Sequence, residues 1–210
     1  MYFARRGLML VISSPSGAGK TTLAKKLIST DIHLEQSISV TTRPARAGER
    51  NGVDYYFVSK DEYKRMIAED EFLEHAIVHD NGYGTPKNFV EETLTQGKDI
   101  IFDIDWQGAQ QLRHNVSQDL VTVFILPPSG NELRRRLEGR ATDETDVVEK
   151  RLSKAASEIS HWGEYDYILI NDDPESCAQD LKAILGAERL RRRRQTGITE
   201  FVRELNTTLK

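Results

Sequence analysis

The sequence predicts a three-layer α/β fold, a parallel central sheet between two layers of helices, with an α+β subdomain and a helical lid inserted into it. Three observations carry that expectation. Short apolar runs of buried-strand type recur at residues 8–12, 100–104, 121–126 and 167–170, and segments with helical spacing lie between them. Strands that alternate with helices build a parallel sheet covered on both faces. The first run passes through the Ser/Gly-rich SSPSGAG into TTLAKKLI, whose apolar residues recur at helical spacing, so the first unit reads as strand, loop, helix. Between the first two runs the alternation breaks, and VDYYFV and FLEHAIV read as strands around a helix, which marks an insertion above the sheet.

In chain order, a single domain is expected, with its core at about 7–36, 98–128 and 164–194, the insertion at about 37–97, the lid at about 129–163 and a tail at 195–210. Within the insertion, Ser59 and Glu62 form a capping-box pair that opens a helix. Thr85-Pro86 starts another helix that Gly97 ends, because proline suits the first turn and glycine the left-handed position after the last. Residues 129–138 and 143–162 read as the two lid helices, separated by the bend GRATD. The last helix is expected from Pro174 into the run Arg191 to Arg194, and the tail beyond it shows weak periodicity. That basic run lacks interleaved aromatics, so it reads as a solvated helix face and not as a nucleic-acid or membrane site.

Composition narrows the function classes. With 210 residues, 38% hydrophobic, 30% charged and a formal net charge of −4, the chain has the make-up of an ordinary globular domain and none of the basic excess that general adhesion to nucleic acid needs. No apolar run approaches the roughly 20 residues that span a bilayer, and residues 1–7 lack the apolar stretch of a secretory signal, so a cytoplasmic protein is expected. The one cysteine, Cys177, has no partner for an intramolecular disulfide and is expected to sit in a helix. The five histidines form no metal or nucleophile constellation; His75 and His79 share a strand face but lack a third ligand.

The chemistry begins at SPSGAGKT, Ser14 to Thr21, which follows the loop pattern G-x-x-x-x-G-K-S/T with Ser14 at the first position. Such a loop needs glycines so that successive backbone N–H groups turn inward to phosphate oxygens, and the helix that follows adds its positive N-terminus. Ser14, Pro15, Ser16, Gly17, Ala18, Gly19, Lys20 and Thr21 are the candidate phosphate-binding residues, with Lys20 on the outer phosphates and the Thr21 hydroxyl on Mg²⁺. A phosphate loop says only nucleotide, because many reactions use it. The second substrate is sought in SVTTRPARAGERNGVDY, where Arg43 and Arg46 lie three residues apart among Pro, Gly and Asn residues that forbid a long helix. Two planar guanidinium forks suit a dianionic phosphate, and hydroxyls at Tyr55 and Tyr83 complete a clamp.

From Leu8 to about Arg194 the chain resembles the guanylate kinase family in motif order and spacing: the phosphate loop, SVTTRPARAGERNGVDYYF, EFLEHA, YGT, FDIDWQGAQQL, LPPS, RRRLEGR and YDYILIND. The resemblance implies the P-loop kinase fold and Mg²⁺-dependent transfer of the ATP terminal phosphoryl group to GMP or dGMP. It puts Ser39, Arg43, Arg46, Glu49 and Tyr55 around GMP, the guanine-reading acid at Glu74, a phosphate tyrosine at Tyr83, a base-contacting hydroxyl at Thr85 and acidic strand-end residues at Asp103 and Asp105. Asp103 is assigned to GMP and Asp105 to the water shell of the metal or to the acceptor, with capping of the next helix as the competing role. Guanine shows adjacent ring N–H and amino donors that one carboxylate accepts together, and adenine has no such pair.

The resemblance also makes Arg136 and Arg140 lid arginines, with Arg151 on the following helix, and puts Asn171 beside the ATP base. Arg134 and Arg135 read as surface neighbours. A phosphoryl-transfer transition state spreads negative charge over several oxygens, so arginines and Mg²⁺ supply the stabilisation. Gly82 stands where many members have a second tyrosine and Ala141 where the family often has glycine. Two other readings are weighed: a kinase of another nucleoside monophosphate, disfavoured by Glu74 with Ser39 and Thr85, and a guanylate-kinase-like binding module without catalysis, disfavoured by the complete phosphate loop. A homo-oligomer is left open.

Overall fold

The computed structural model describes residues 4–78, 80–116, 118–139 and 145–209. The core sheet contains β1 (Met9–Ser13), β2 (Leu34–Gln36), β7 (Asp99–Asp103), β8 (Leu120–Leu126) and β9 (Tyr167–Ile170) in the order β2-β7-β1-β8-β9. Its pairs are parallel throughout. The second sheet, in the insertion, contains β3 (Val40–Thr41), β4 (Tyr56–Phe57), β5 (Phe72–Val78) and β6 (Asn81–Pro86) in the order β4-β3-β6-β5. The helices are α1 (Lys20–Thr30), α2 (Lys60–Ala68), α3 (Lys87–Thr95), α4 (Trp106–Asn115), α5 (Gly130–Glu138), α6 (Thr145–Ile159), α7 (Pro174–Arg189) and α8 (Ile198–Thr208). The expected fold class is the observed one.

The layering follows from the two-residue period of a strand. Leu8, Leu10 and Ile12 face one cluster with Leu23 and Leu27 of α1 and Leu181 and Leu185 of α7. Met9 and Val11 face the other, with Val90 and Leu94 of α3 and Leu112 of α4. Every residue of β1 is buried, which is why the run reads as continuous rather than alternating. At about 1.5–3 kcal/mol per fully buried large apolar side chain, these two clusters dominate the stability of the domain.

Several elements differ from the sequence reading. The strand seen in VDYYFV is only Tyr56–Phe57, and the capping pair at Ser59 is half formed: Ser59 Oγ accepts from Glu62 N at 3.1 Å while the Glu62 carboxylate pairs with Arg65. Pro86 ends β6 and precedes α3 instead of lying in its first turn. Gly82 lies against the ring of Tyr63, and a Cβ there would come within 2.5 Å of Tyr63 Cε1. The tail forms α8, whose Ile198, Phe201, Val202 and Leu205 share a stripe. Cys177 is buried in α7, as expected.

The arginine run corrects the solvated-face reading at its last member. Arg194 is 1% exposed, donates from Nε to Glu188 O at 3.1 Å, and lies 3.5 Å from Asp119 and 3.6 Å from Glu188. A polar lattice is centred on Asp99, which is fully buried and accepts from Arg5 at 2.7 and 2.9 Å, from Arg189 at 2.7 Å and from Leu8 N at 2.9 Å. Removing one partner of a buried ion network leaves the others uncompensated, so Asp99→Ala is expected to cost about 3–5 kcal/mol of stability in urea unfolding. Activity per folded molecule is expected to stay unchanged, because the lattice lies at the opposite end of the strands from the phosphate loop.

Candidate active site

Ligand sites in open α/β sheets form beyond the carboxyl ends of the strands, where the chain leaves a strand in opposite directions. Here that place is the end of β1, whose neighbours are β7 and β8. The loop after Ser13 makes its turn through Gly17 at φ 91° and Gly19 at φ 98°, values that side chains rarely adopt. Gly19 also has no room, because a Cβ there would lie 2.3 Å from Asn171 Nδ2. Asn171, at the end of β9, donates to Ala18 O at 2.7 Å and is 2% exposed, so it fixes the loop backbone from beneath. Its Oδ1 has no hydrogen-bond partner among the described residues. Gly17, Gly19, Thr22, Arg135, Arg136 and Asn171 line a cleft of about 370 Å³ on the outer side of the loop, which suits a nucleotide base.

The inner side is a cleft of about 260 Å³, lined by residues of the 14–21 loop together with Asp105 and Glu158. Lys20, the first residue of α1, lies 2.6 Å from Asp103 Oδ1 and donates to Ile104 O at 3.1 Å. Thr21 Oγ1 donates to the other Asp103 oxygen at 3.1 Å. The structure thus brings Asp103, and not Asp105, onto Lys20 and Thr21. Asp105 lies beyond the end of β7, with φ −82° and ψ 178°, and its Oδ1 caps α4 by accepting from Gly108 N at 3.0 Å. The two acids therefore do not share a strand face, because the strand ends before the second.

In the insertion, Arg43 holds Glu49 with both Nη atoms at 3.0 and 2.8 Å, and Arg46 N donates to Glu49 at 2.7 Å. This pairing holds the Glu49 carboxylate below its usual range and raises the Arg43 guanidinium. The Arg43 guanidinium lies 5.4 Å over the ring of Tyr55, and Tyr55 meets Tyr83 edge-on at 6.1 Å. The Arg46 side chain is exposed, and Ser39 contributes its carbonyl to Tyr56 N at 2.9 Å. Glu74, on β5, is 7% exposed and accepts from Thr85 Oγ1 of β6 at 2.7 Å. Burial pushes its carboxyl above the usual range, the Thr85 hydroxyl opposes that, and the charge of Asp105 adds to it. The charge of Asp103 likewise acts on Tyr55.

From the lid, Arg136 bonds Glu132 at 2.8 Å and the carbonyl of Asn171 at 3.2 Å, which brings it to the outer cleft. Arg134 and Arg135 pair with Glu149 and Glu132 on the surface. Arg151 is half-buried on α6. Arg140, Ala141 and His79 lie outside the described residues. The sequence reading missed Glu158, whose Oε2 accepts from Ser16 N of the phosphate loop at 3.2 Å. The signal was available, since Glu158 follows Arg151 by two helical turns on one face of α6. A carboxylate on that donor competes with a phosphate, so Glu158→Gln is expected to lower the KM for ATP about fivefold with kcat little changed, in steady-state assays at saturating acceptor.

Comparisons with known proteins show the family of the chain. The sequence model of the family described as guanylate kinase matches residues 6–188. The guanylate kinase of Zymomonas mobilis is 57% identical over 202 residues, covering 96% of this chain and 94% of that protein. That of Novosphingobium aromaticivorans is 56% identical over 201 residues, covering 96% and 91%. The crystal structure of guanylate kinase from Anaplasma phagocytophilum aligns with a TM-score of 0.76 at 39% identity, covering 96% of each chain.

Proposed function

The chain belongs to the guanylate kinase family and is an ATP:GMP phosphotransferase, and from that premise we propose that its two anion-binding sets divide the reaction across Asp103 and Asp105. The supporting observation is the placing of those acids: Asp103 touches Lys20 and Thr21, while Asp105 lines the phosphate cleft and caps Gly108, where a Cβ would lie 3.5 Å from Glu74 Oε2.

In this reading the triphosphate lies along the backbone N–H groups of residues 16–21 and the positive end of α1, with Lys20 on the outer phosphates. The ATP base enters the cleft beside Asn171 and Arg136. Arg43, Arg46, Tyr55 and Tyr83 hold the GMP phosphate, Ser39 and Glu49 fix the clamp, and Glu74 with Thr85 takes the guanine edge. The same contacts admit dGMP, because none of them requires the 2′-hydroxyl. Arg136, Arg140 and Arg151 bring positive charge to the transferred group as the lid closes and excludes water.

A Mg²⁺ ion fits the donor set: Thr21 Oγ1 and the carboxylates of Asp103 and Asp105 are hard oxygens next to the phosphate cleft. Among the described residues no group of three His, Cys, Asp or Glu side chains could hold a metal unaided, which suits an ion that takes its other ligands from phosphate and water. When bound, Mg²⁺ neutralises charge developing on the phosphate oxygens. Among the described residues no helix is long and apolar enough to cross a membrane, and we place the reaction in the cytoplasm. The test is ADP release with ATP, Mg²⁺ and each monophosphate in turn: strong turnover is expected with GMP and dGMP. Comparable turnover with AMP or UMP would overturn the guanine assignment.

A further inference from the structure

The base-reading strand β5 is an edge strand, so the backbone groups on its outer side have no partner within the sheet. It also carries an irregularity at the residue that matters. Phe72 faces Pro86 and Glu74 faces Thr85, which leaves Leu73 as one extra residue in β5. A bulge of this kind re-aims the side chains beside it but leaves ladder groups unpaired, and such groups must find partners elsewhere. The partners come from α4. Asn115 Nδ2 donates to Leu73 O at 2.8 Å, and Gln111 Oε1 accepts from His75 N at 3.0 Å. Gln111 and Asn115 are four residues apart and so lie on one face of the helix, and their two bonds bracket Glu74 in the sequence. The Leu73 side chain meanwhile packs into the core cluster that holds Leu112 of the same helix. At its other end α4 is tied to the phosphate cleft by the Asp105 cap.

We infer that Gln111 and Asn115 are positioning residues for guanine recognition, which hold the bulged backbone so that the Glu74 carboxylate presents both oxygens at a fixed angle to the base. This rests on the reading of Glu74 as the guanine acceptor. Neither side chain touches substrate; each acts through one peptide group next to Glu74. The polarity of the two bonds is opposite, and that makes the inference testable by exchange of single atoms. Gln111→Glu keeps an acceptor for His75 N, whereas Asn115→Asp removes the donor to Leu73 O and turns a carboxylate toward a carbonyl.

The experiment compares steady-state constants for GMP and for IMP, which lacks the 2-amino donor of guanine. For the Gln111→Ala/Asn115→Ala double variant, the KM for GMP is expected to rise about tenfold and the preference for GMP over IMP in kcat/KM to fall by about the same factor. Both kcat at saturating GMP and the KM for ATP are expected to stay within about twofold. Asn115→Asp is expected to reproduce the defect and Gln111→Glu to spare it. Wild-type preference in the double variant, or in Asn115→Asp, overturns the inference. So does a loss shared equally by GMP and IMP, which is what general loosening of the domain produces. If the double variant fails to fold, the single exchanges decide, and equal behaviour of Asn115→Asp and Gln111→Glu counts against the inference. Glu74→Gln serves as the control: retained preference there removes the premise, while lost preference there with intact preference in the α4 variants removes the bracket alone.

Discussion

Replacing Lys20 by alanine is expected to lower kcat about 10³-fold while leaving the protein folded. The ammonium group is held at the mouth of the phosphate cleft by Asp103 Oδ1 at 2.6 Å and by the carbonyl of Ile104 at 3.1 Å. That carbonyl also accepts from the buried Ser13 hydroxyl at 2.9 Å, so the lysine is anchored to the rigid end of β1 and not to a loose loop. A cation fixed this way does more for a transition state with charge spread over several oxygens than for bound ATP, and the loss should appear in kcat rather than in KM. The fold should survive because α1 is held by Leu23, Ala24 and Leu27, which the substitution does not touch. Lys20→Arg keeps the charge but replaces a compact ammonium by a planar fork with different donor directions, and it is expected to rescue poorly. ADP release under saturating ATP and GMP, with melting temperature as the folding control, is the check. Turnover within tenfold of the parent protein would remove Lys20 from the chemistry.

The parts of the site that were legible in the sequence are those whose chemistry constrains residue type locally. Gly17 and Gly19 take a left-handed backbone, Lys20 and Thr21 follow the turn at once, and Arg43 and Arg46 lie close together in a loop; each pattern is complete within a few residues, so the sequence offers these positions as candidates. The strands of the core were legible because burial on both faces makes continuous apolar runs. What was not legible depends on partners distant in the chain. Strand β6, Asn81–Pro86, contains two glycines and a proline, and it is a strand only because β3 and β5 flank it and the Tyr63 ring covers Gly82. Arg194 looks like a surface residue until Glu188 and Asp119 are brought against it. The placing of Asp103 and Asp105 turns on where β7 stops, and element ends are the least determined by local pattern. The spacing of Glu158 from Arg151 marks a shared helix face, but not the loop that the face meets, which lies more than a hundred residues away in sequence.

Glu74→Gln is expected to lower kcat/KM for GMP by about 10²–10³ and to erase most of the preference over IMP, with the KM for ATP unchanged. A carboxylate meets the ring N–H and the amino group of guanine with one oxygen each, whereas the amide must turn an NH₂ toward one of those donors. Rotating the amide does not remove the conflict, because either orientation leaves an NH₂ where one carboxylate oxygen stood, and the Thr85 hydroxyl, 2.7 Å from the group, bonds to an oxygen or to an NH₂ alike. A pH dependence follows with a definite sign. Burial raises the Glu74 carboxyl above the ordinary carboxylate range, and only the ionised form accepts both donors. The KM for GMP should therefore rise as pH falls through that raised value, earlier than for an exposed glutamate, and the Gln variant should show no such rise. Stability moves the other way. A carboxyl whose pKa is higher in the folded than in the unfolded state favours folding below its unfolded value and loses that contribution as pH climbs through the folded one, so ionised Glu74 is a burden at neutral pH. Glu74→Gln is expected to melt higher than the parent at neutral pH, with the gap closing on acidification. A variant that binds GMP worse yet is more stable is what a group held for recognition against its own burial cost produces; a variant that is less stable at neutral pH and still prefers GMP would mean that Glu74 serves the packing of β5 and that another group reads the base.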